Sequence, residues 1–248
     1  LMALIQLDPE RWWGWMALLW AAWSVFLTRV APQWLIPLFY RQSPLKDASL
    51  KERLQALLTR CGAQVRDILE VNLSRSTKKA NACLCGLGRS RRILLSDTLL
   101  ANYPAEEVEV VVAHEVGHHR LHHLPIGIAL SAAAMGLGCF LVHRLVKTWG
   151  LPLGIPRWDD PAVLMIVGLG LTLVNLLLMP VLHGLWRLLE LSADRFSLEQ
   201  TQNPKAFIGT MRRLAEQNLA EVSPPPWVEW LFYDHPSIAR RVAMAEGF

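Results

Sequence analysis

His114-Glu115-Val116-Gly117-His118 is the stretch of this 248-residue sequence with the clearest chemical content. Histidines four residues apart project from one face of an α-helix. There both imidazoles can hold one zinc ion at about 2.0 Å. Glu115, beside them, is placed to take a proton from a metal-activated water. The preceding Val111-Val112-Ala113 is apolar, so the helix can be buried as a preorganised site requires. His118/His122 and His119/His123 repeat the four-residue spacing, but neither pair encloses a glutamate. His119, His122 and His123 therefore read as a cluster near a membrane surface. A catalytic zinc needs a third protein donor and an open fourth position. Glu190, in Glu190-Leu191-Ser192-Ala193-Asp194, is the candidate, and Asp194, one helical turn on, is suited to hold a ligand imidazole from behind. The expectation is one zinc per chain on His114, His118 and Glu190.

These residues lie far apart in sequence, so the elements between them must bring them together. Three uncharged runs are candidates to cross a bilayer: residues 12–28, 124–142 and 161–186. At 1.5 Å per residue the middle one reaches roughly 28 Å, close to the ~30 Å hydrocarbon core. Segment 41–123 holds thirteen Lys and Arg, whereas 143–160 holds Arg144, Lys147 and Arg157. The positive-inside rule places 41–123 in the cytoplasm. Two crossings later the chain returns to that side, bringing Glu190 back towards His114 and His118.

Composition agrees with a membrane protein. The chain is 52% hydrophobic and 19% charged, with mean hydropathy +0.26. That is too apolar for disorder, and four cysteines exclude a disulfide framework. Cys83 and Cys85 lack C-x-x-C spacing. A net charge of +4 with eleven Trp in apolar company fits a membrane interface better than nucleic acid. The N-terminus shows no basic region or A-x-A-like site, so no cleavable signal peptide is expected, and a start at Leu1 suggests a fragment.

Within the first polar piece, Ser49 to Cys61 reads as an amphipathic helix with Leu50, Leu54, Leu57 and Leu58 on one face. Val65 to Val71 suits a strand. Ala80 to Gly86 and Arg92 to Ser96 flank Gly86-Leu87-Gly88-Arg89 and read as a β-hairpin. Pro104-Ala105-Glu106-Glu107 opens the helix that carries the histidines, since proline and acidic residues both favour its first turn.

Asn81-Ala82, Gly86, the run Arg92 to Leu100 and Val112 to His118 resemble the CAAX prenyl protease 1 family of integral-membrane gluzincins. Ser43-Pro44-Leu45 and Leu50 to Leu54 match the segment that the family places after a membrane span. Glu190 with Ala193-Asp194-Arg195-Phe196 resembles its third-ligand motif, and His235-Pro236-Ser237-Ile238-Ala239-Arg240 its H-P-x-x-x-R box. The likeness covers roughly residues 35–245, in order. It implies that His114, His118 and Glu190 hold zinc and that Glu115 is the general base. It also implies that Asn81 holds the substrate backbone, His235 stabilises the oxyanion and Arg240 supports the site. The family places several further spans ahead of the one matching 12–28, so the chain is expected to be truncated or a short branch.

The expected architecture is mostly α. It comprises an N-terminal piece (1–40), a protease part with the HEVGH helix (41–123), a transmembrane hairpin (124–186) and a C-terminal piece with the third ligand (187–248). The protease parts face the cytoplasm of a bacterial inner membrane, with a small β-hairpin beside the HEVGH helix. The expected activity is zinc-dependent endopeptidase cleavage of extended peptides, CAAX-protease-like, with peptide or protein substrate and membrane lipid as partners and no nucleic acid. Two alternatives remain: quality-control proteolysis of misfolded membrane proteins, and a non-catalytic metal-binding scaffold, which would have no need of Glu115.

Overall fold

The computed structural model describes residues 1–86, 91–150, 152, 154, 160 and 162–248. Helices α1 (Met2–Leu7) and α2 (Trp12–Val30), a π-helical turn (Ala31–Leu35) and α3 (Ile36–Phe39) lead into β1 (Gln42–Pro44) and α4 (Ala48–Arg60). Then come β2 (Asp67–Val71), β3 (Ala82–Cys85), β4 (Arg92–Ser96), α5 (Asp97–Asn102) and α6 (Ala105–Arg120). Two long helices, α7 (His123–Trp149) and α8 (Ala162–Thr201), precede α9 (Pro204–Asn218), α10 (Pro226–Phe232) and α11 (Ile238–Glu246). The chain divides into two compact units, 1–27 with 125–182 and 28–124 with 183–248.

In the first unit, helix packs on helix through small residues. A Cβ on Gly170 would stand 2.6 Å from Val142 Cγ2, and one on Gly136 would stand 3.0 Å from Ala17 Cβ. Such close approach is how apolar helices associate without a hydrophobic driving force. Ile5, Trp12, Cys139, Val142, Val146, Val163 and Val167 form its buried cluster. Among the described residues, α7 and α8 are long and apolar enough to cross a membrane, and most of their apolar windows are not buried. Met165, Leu169, Leu173, Leu176 and Leu177 all point outward. A soluble protein rarely exposes so continuous an apolar face. The third expected span, 12–28, is a single helix, but it does not meet the same measure. Its five tryptophans suit the membrane–water interface better than the hydrocarbon core.

The second unit adds to the expected hairpin. β3 and β4 pair antiparallel, with Ala82 opposite Leu95 and Leu84 opposite Ile93. Of the turn between them, residues 87–90 lie outside the described residues. The pair is part of a four-stranded mixed sheet in the order β1-β2-β4-β3, with β2 parallel to β4. β1 escaped notice in the sequence because it is three residues long and holds a proline, which is tolerated only at a sheet edge. Asp47 caps α4, its carboxylate accepting from the Leu50 N–H at 3.0 Å.

Helix α6 is held on several sides, which fixes the residues it carries. Val108, Val112, Ala113 and Val116 join Leu54, Leu57, Leu58, Ile93 and Leu95 in the main core. Val110 joins Leu198, Phe207 and Met211 in a second cluster. Arg53 of α4 bridges Glu106 and Glu109 at 2.9 and 2.8 Å, and Arg213 of α9 bridges Glu107 at 2.9 Å. α8 crosses α6 closely at Gly117, where a Cβ would lie 3.2 Å from Phe196 Cδ1 and 3.3 Å from the Ala193 carbonyl oxygen. Four residues further along α8, the buried Ser197 hydroxyl donates to the Val110 carbonyl at 2.8 Å. The expected span at 161–186, from Ala162 on, and the expected third ligand therefore share one continuous helix.

Candidate active site

The crossing at Gly117 brings three donors together. His114 Nε2 and His118 Nε2 lie 3.0 Å apart, and each is 3.4 Å from a Glu190 carboxylate oxygen. Metal–ligand bonds of about 2.0–2.2 Å in a tetrahedron put the donors about 3.3–3.6 Å from one another. Glu190 Oε2 is buried and accepts no hydrogen bond. An unpaired buried carboxylate oxygen is costly, and here it faces His114 Nε2 while Oε1 faces His118 Nε2. Burial disfavours a charged His114, yet Asp194 and Glu190 outweigh it and raise the imidazole to about 9. The carboxylates thus call for a positive charge at this point, which a metal dication would supply. Burial, with His114 adding, lowers His118 to about 4, so it is neutral as a ligand must be. The residues fit a zinc ion.

Behind the donors, Asp194 is fully buried and lies 2.9 Å from His114 Nδ1, an ion-pair contact. Its other partner is Arg241, whose Nε donates to Oδ2 at 2.7 Å and whose Nη2 donates to Oδ1. The family resemblance pointed to Arg240 as the supporting arginine. That side chain is 59% exposed and pairs with Glu229 at 3.1 Å, outside the cleft. Glu229 also accepts from the Ser237 N–H, so Arg240 ties down the His-Pro-Ser loop and does not reach the metal site. Arg241 was missed because H-P-x-x-x-R carries the eye to 240. On α11 adjacent residues diverge by about 100°, and only the second arginine turns inward.

Glu115 projects into the same cleft, together with Asn81, His114, Glu190, Asp194, His235 and Arg241. Burial, reinforced by Glu190 and opposed by His114, raises its carboxyl to about 7. The Leu84 N–H, on the edge strand β3, reaches its carboxylate. Asn81 precedes β3, and its backbone is engaged by Ser96: the N–H donates to the Ser96 hydroxyl and the carbonyl accepts from the Ser96 N–H, both at 2.9 Å. Its side chain is left exposed at the cleft. His235 stands at the mouth, 57% exposed, with Nε2 3.5 Å from Glu190 Oε1 and Nδ1 2.8 Å from Asp234. Of the three further histidines, His122 is exposed, but His123 is buried with Nδ1 2.9 Å from His118 Nδ1.

A histidine pair on one helix, a glutamate between them in sequence and a carboxylate from a later helix together define a metallopeptidase centre. The sequence profile of peptidase family M48 matches residues 44–248, and the chain belongs to that family. An uncharacterized metalloprotease of Bacillus subtilis, YhfN, is 30% identical over 98% of this chain and 58% of its own length. The CAAX prenyl protease 1 of Saccharomyces cerevisiae is 27% identical over 88% of this chain and 52% of its own. The chain thus spans a little over half the length of these relatives. The crystal structure of Ste24p from S. mikatae superposes on 99% of this chain and 61% of that one, with a TM-score of 0.86 at 21% identity, so the fold is shared.

Proposed function

We propose that this chain carries the hydrolytic centre of a membrane-embedded zinc endopeptidase, with His114, His118 and Glu190 as ligands. The observation that carries the reading is the convergence of three donors, 3.0–3.4 Å apart, beside a carboxylate that is not one of them. When bound, zinc would polarise the scissile carbonyl and acidify a water. Glu115 takes that water's proton and passes it to the leaving amine; burial raises its carboxyl above the usual range, which favours taking up the proton. Asp194, fixed by Arg241, orients the His114 ring. His235 donates to the oxygen on which negative charge develops.

The substrate is an extended peptide. β3 is an edge strand, and among the described residues no strand covers its outer side. A peptide added there would pair by main-chain hydrogen bonds, with Asn81 at the end of the new ladder. CAAX-type peptides are favoured by the names of the relatives; misfolded membrane proteins are the second reading, supported by the same open edge. The thirteen basic residues in 41–123 favour a cytoplasmic active site, in a bacterial inner membrane.

Glu115→Gln tests the mechanism. The variant should keep zinc and bind peptide with little change in KM, while kcat falls by about 10²–10⁴-fold. A zinc-loaded Glu115→Gln protein with parental kcat would sink the mechanism and revive the scaffold reading.

A further inference from the structure

His123 is buried at 4% exposure, although peptide hydrolysis as set out above gives it no task. It follows His118 by five residues, a spacing that in an unbroken helix would leave the two side chains about 140° apart. They meet because α6 ends at Arg120 and His122 takes φ of 59°, a left-handed conformation that costs a residue with a side chain about 1–2 kcal/mol. A costly backbone conformation next to a ligand is retained where the surrounding structure over-determines it. Here it turns His123 back onto His118, with ring centroids 5.0 Å apart and planes at 78°.

The hydrogen-bond directions run outward from the metal site. His118 presents Nε2 to His114 and Glu190, so its proton sits on Nδ1, which donates to His123 Nδ1 at 2.9 Å. His123 must then carry its own proton on Nε2, 3.1 Å from the Ser192 hydroxyl. Ser192 in turn donates to the Leu189 carbonyl at 2.7 Å. With His118 Nε2 given to the metal, this direction alone satisfies every group in the chain. We propose that His123 is a positioning residue for His118, fixing its tautomer and ring orientation through a neutral chain anchored at Ser192. The proposal rests on the zinc reading above. It also explains why the two ligands differ: His114 is backed by a carboxylate, His118 by an imidazole. Zinc, Glu190, Glu115 and the Asp194–Arg241 pair already balance in charge. A carboxylate behind His118 would add an uncompensated buried negative charge.

The test compares His123→Ala, His123→Asn and Ser192→Ala by competition for zinc against a chromophoric chelator and by the visible absorption of the cobalt(II)-loaded protein. Loss of an outer hydrogen-bond partner costs about 10–100-fold in metal affinity, and His123→Ala should lose that much and shift the cobalt bands. His123→Asn, whose amide oxygen can accept where Nδ1 does, should recover most of both. Ser192→Ala should show a smaller loss, roughly two- to tenfold. Parental affinity and spectrum in His123→Ala, or an Asn variant as weak as Ala, would overturn the proposal. If His123→Ala does not fold, Ser192→Ala decides, and parental values there overturn it. Failure of the underlying reading looks different: the parent protein itself would take up neither zinc nor cobalt.

Discussion

Gly117 offers the sharpest test of how the fold builds the metal site. A methyl group there would meet the Ala193 carbonyl oxygen and Cα at 3.3 Å and Phe196 Cδ1 at 3.2 Å. The phenyl ring can swing away, but the Ala193 backbone cannot, so α8 must move off α6 by a few tenths of an ångström. Overpacking of this kind costs about 1–3 kcal/mol, and replacing glycine by alanine within a helix returns about 1. The net loss of stability for Gly117→Ala is then about 0–2 kcal/mol, while Gly117→Val, larger and β-branched, sits well above that. Glu190 lies three residues from Ala193 on the same face of α8, so the displacement passes to the third donor. Metal affinity should therefore fall further than stability: about tenfold for alanine and more for valine, by the sensitivity of donor sets to their support. The assay pairs thermal unfolding of the metal-free protein with zinc competition. Gly168→Ala, a helical glycine with nothing within 4 Å of its Cβ, is the control: it should gain about 1 kcal/mol from helix propensity alone and leave zinc affinity unchanged. A Gly117→Val protein that binds zinc like the parent would refute the idea that the crossing sets the ligand geometry.

Three further outcomes are expected. Arg241→Ala strips a buried carboxylate of its buried partner and should cost about 3–5 kcal/mol, whereas Arg240→Ala removes an exposed arginine from Glu229, which keeps the Ser237 N–H, and should cost less, about 1 kcal/mol; equal losses in denaturant titrations would contradict the assignment. His235→Ala should lower kcat about 10²–10³-fold with KM little changed, and a KM effect alone in steady-state assays would make it a binding residue instead. Cysteines at Lys147 and Arg75, in a background without the native four, should label from opposite sides of the membrane; labelling of both from one side would mean that α7 does not cross.

The ligand helix and its partner could be read from the sequence because their signals are local. Two histidines four apart need only one helix, and Glu190 needs only a second helix returning to it. What escaped depended on geometry that no spacing encodes. The contact of His123 with His118 requires a helix break, and nothing in Leu121-His122 announces one, since the left-handed residue is a histidine where a glycine would have been the signal. The choice between Arg240 and Arg241 turns on the rotation of α11 about its axis. β1 carries too few residues to show alternation, and the parallel pairing of β2 with β4 is a long-range event. Gly117 stood in plain view as an unassigned position of H-E-x-x-H, and its part was visible only once Ala193 was seen against it.

Helix α8 binds two environments into one rod. Its uncharged stretch, 162–186, is about 38 Å long at 1.5 Å per residue, more than the roughly 30 Å of hydrocarbon it would cross. Such a helix tilts, and the tilt follows bilayer thickness. Glu190 follows that stretch on the same helix, four residues past its end and beyond Pro180. The tight crossing at Gly117 and the Ser197 hydroxyl on Val110 act as a clamp on α8 just beyond Glu190, holding that carboxylate against His114 and His118. Activity measured across bilayers of graded acyl-chain length becomes, in effect, a gauge of how stiff that clamp is.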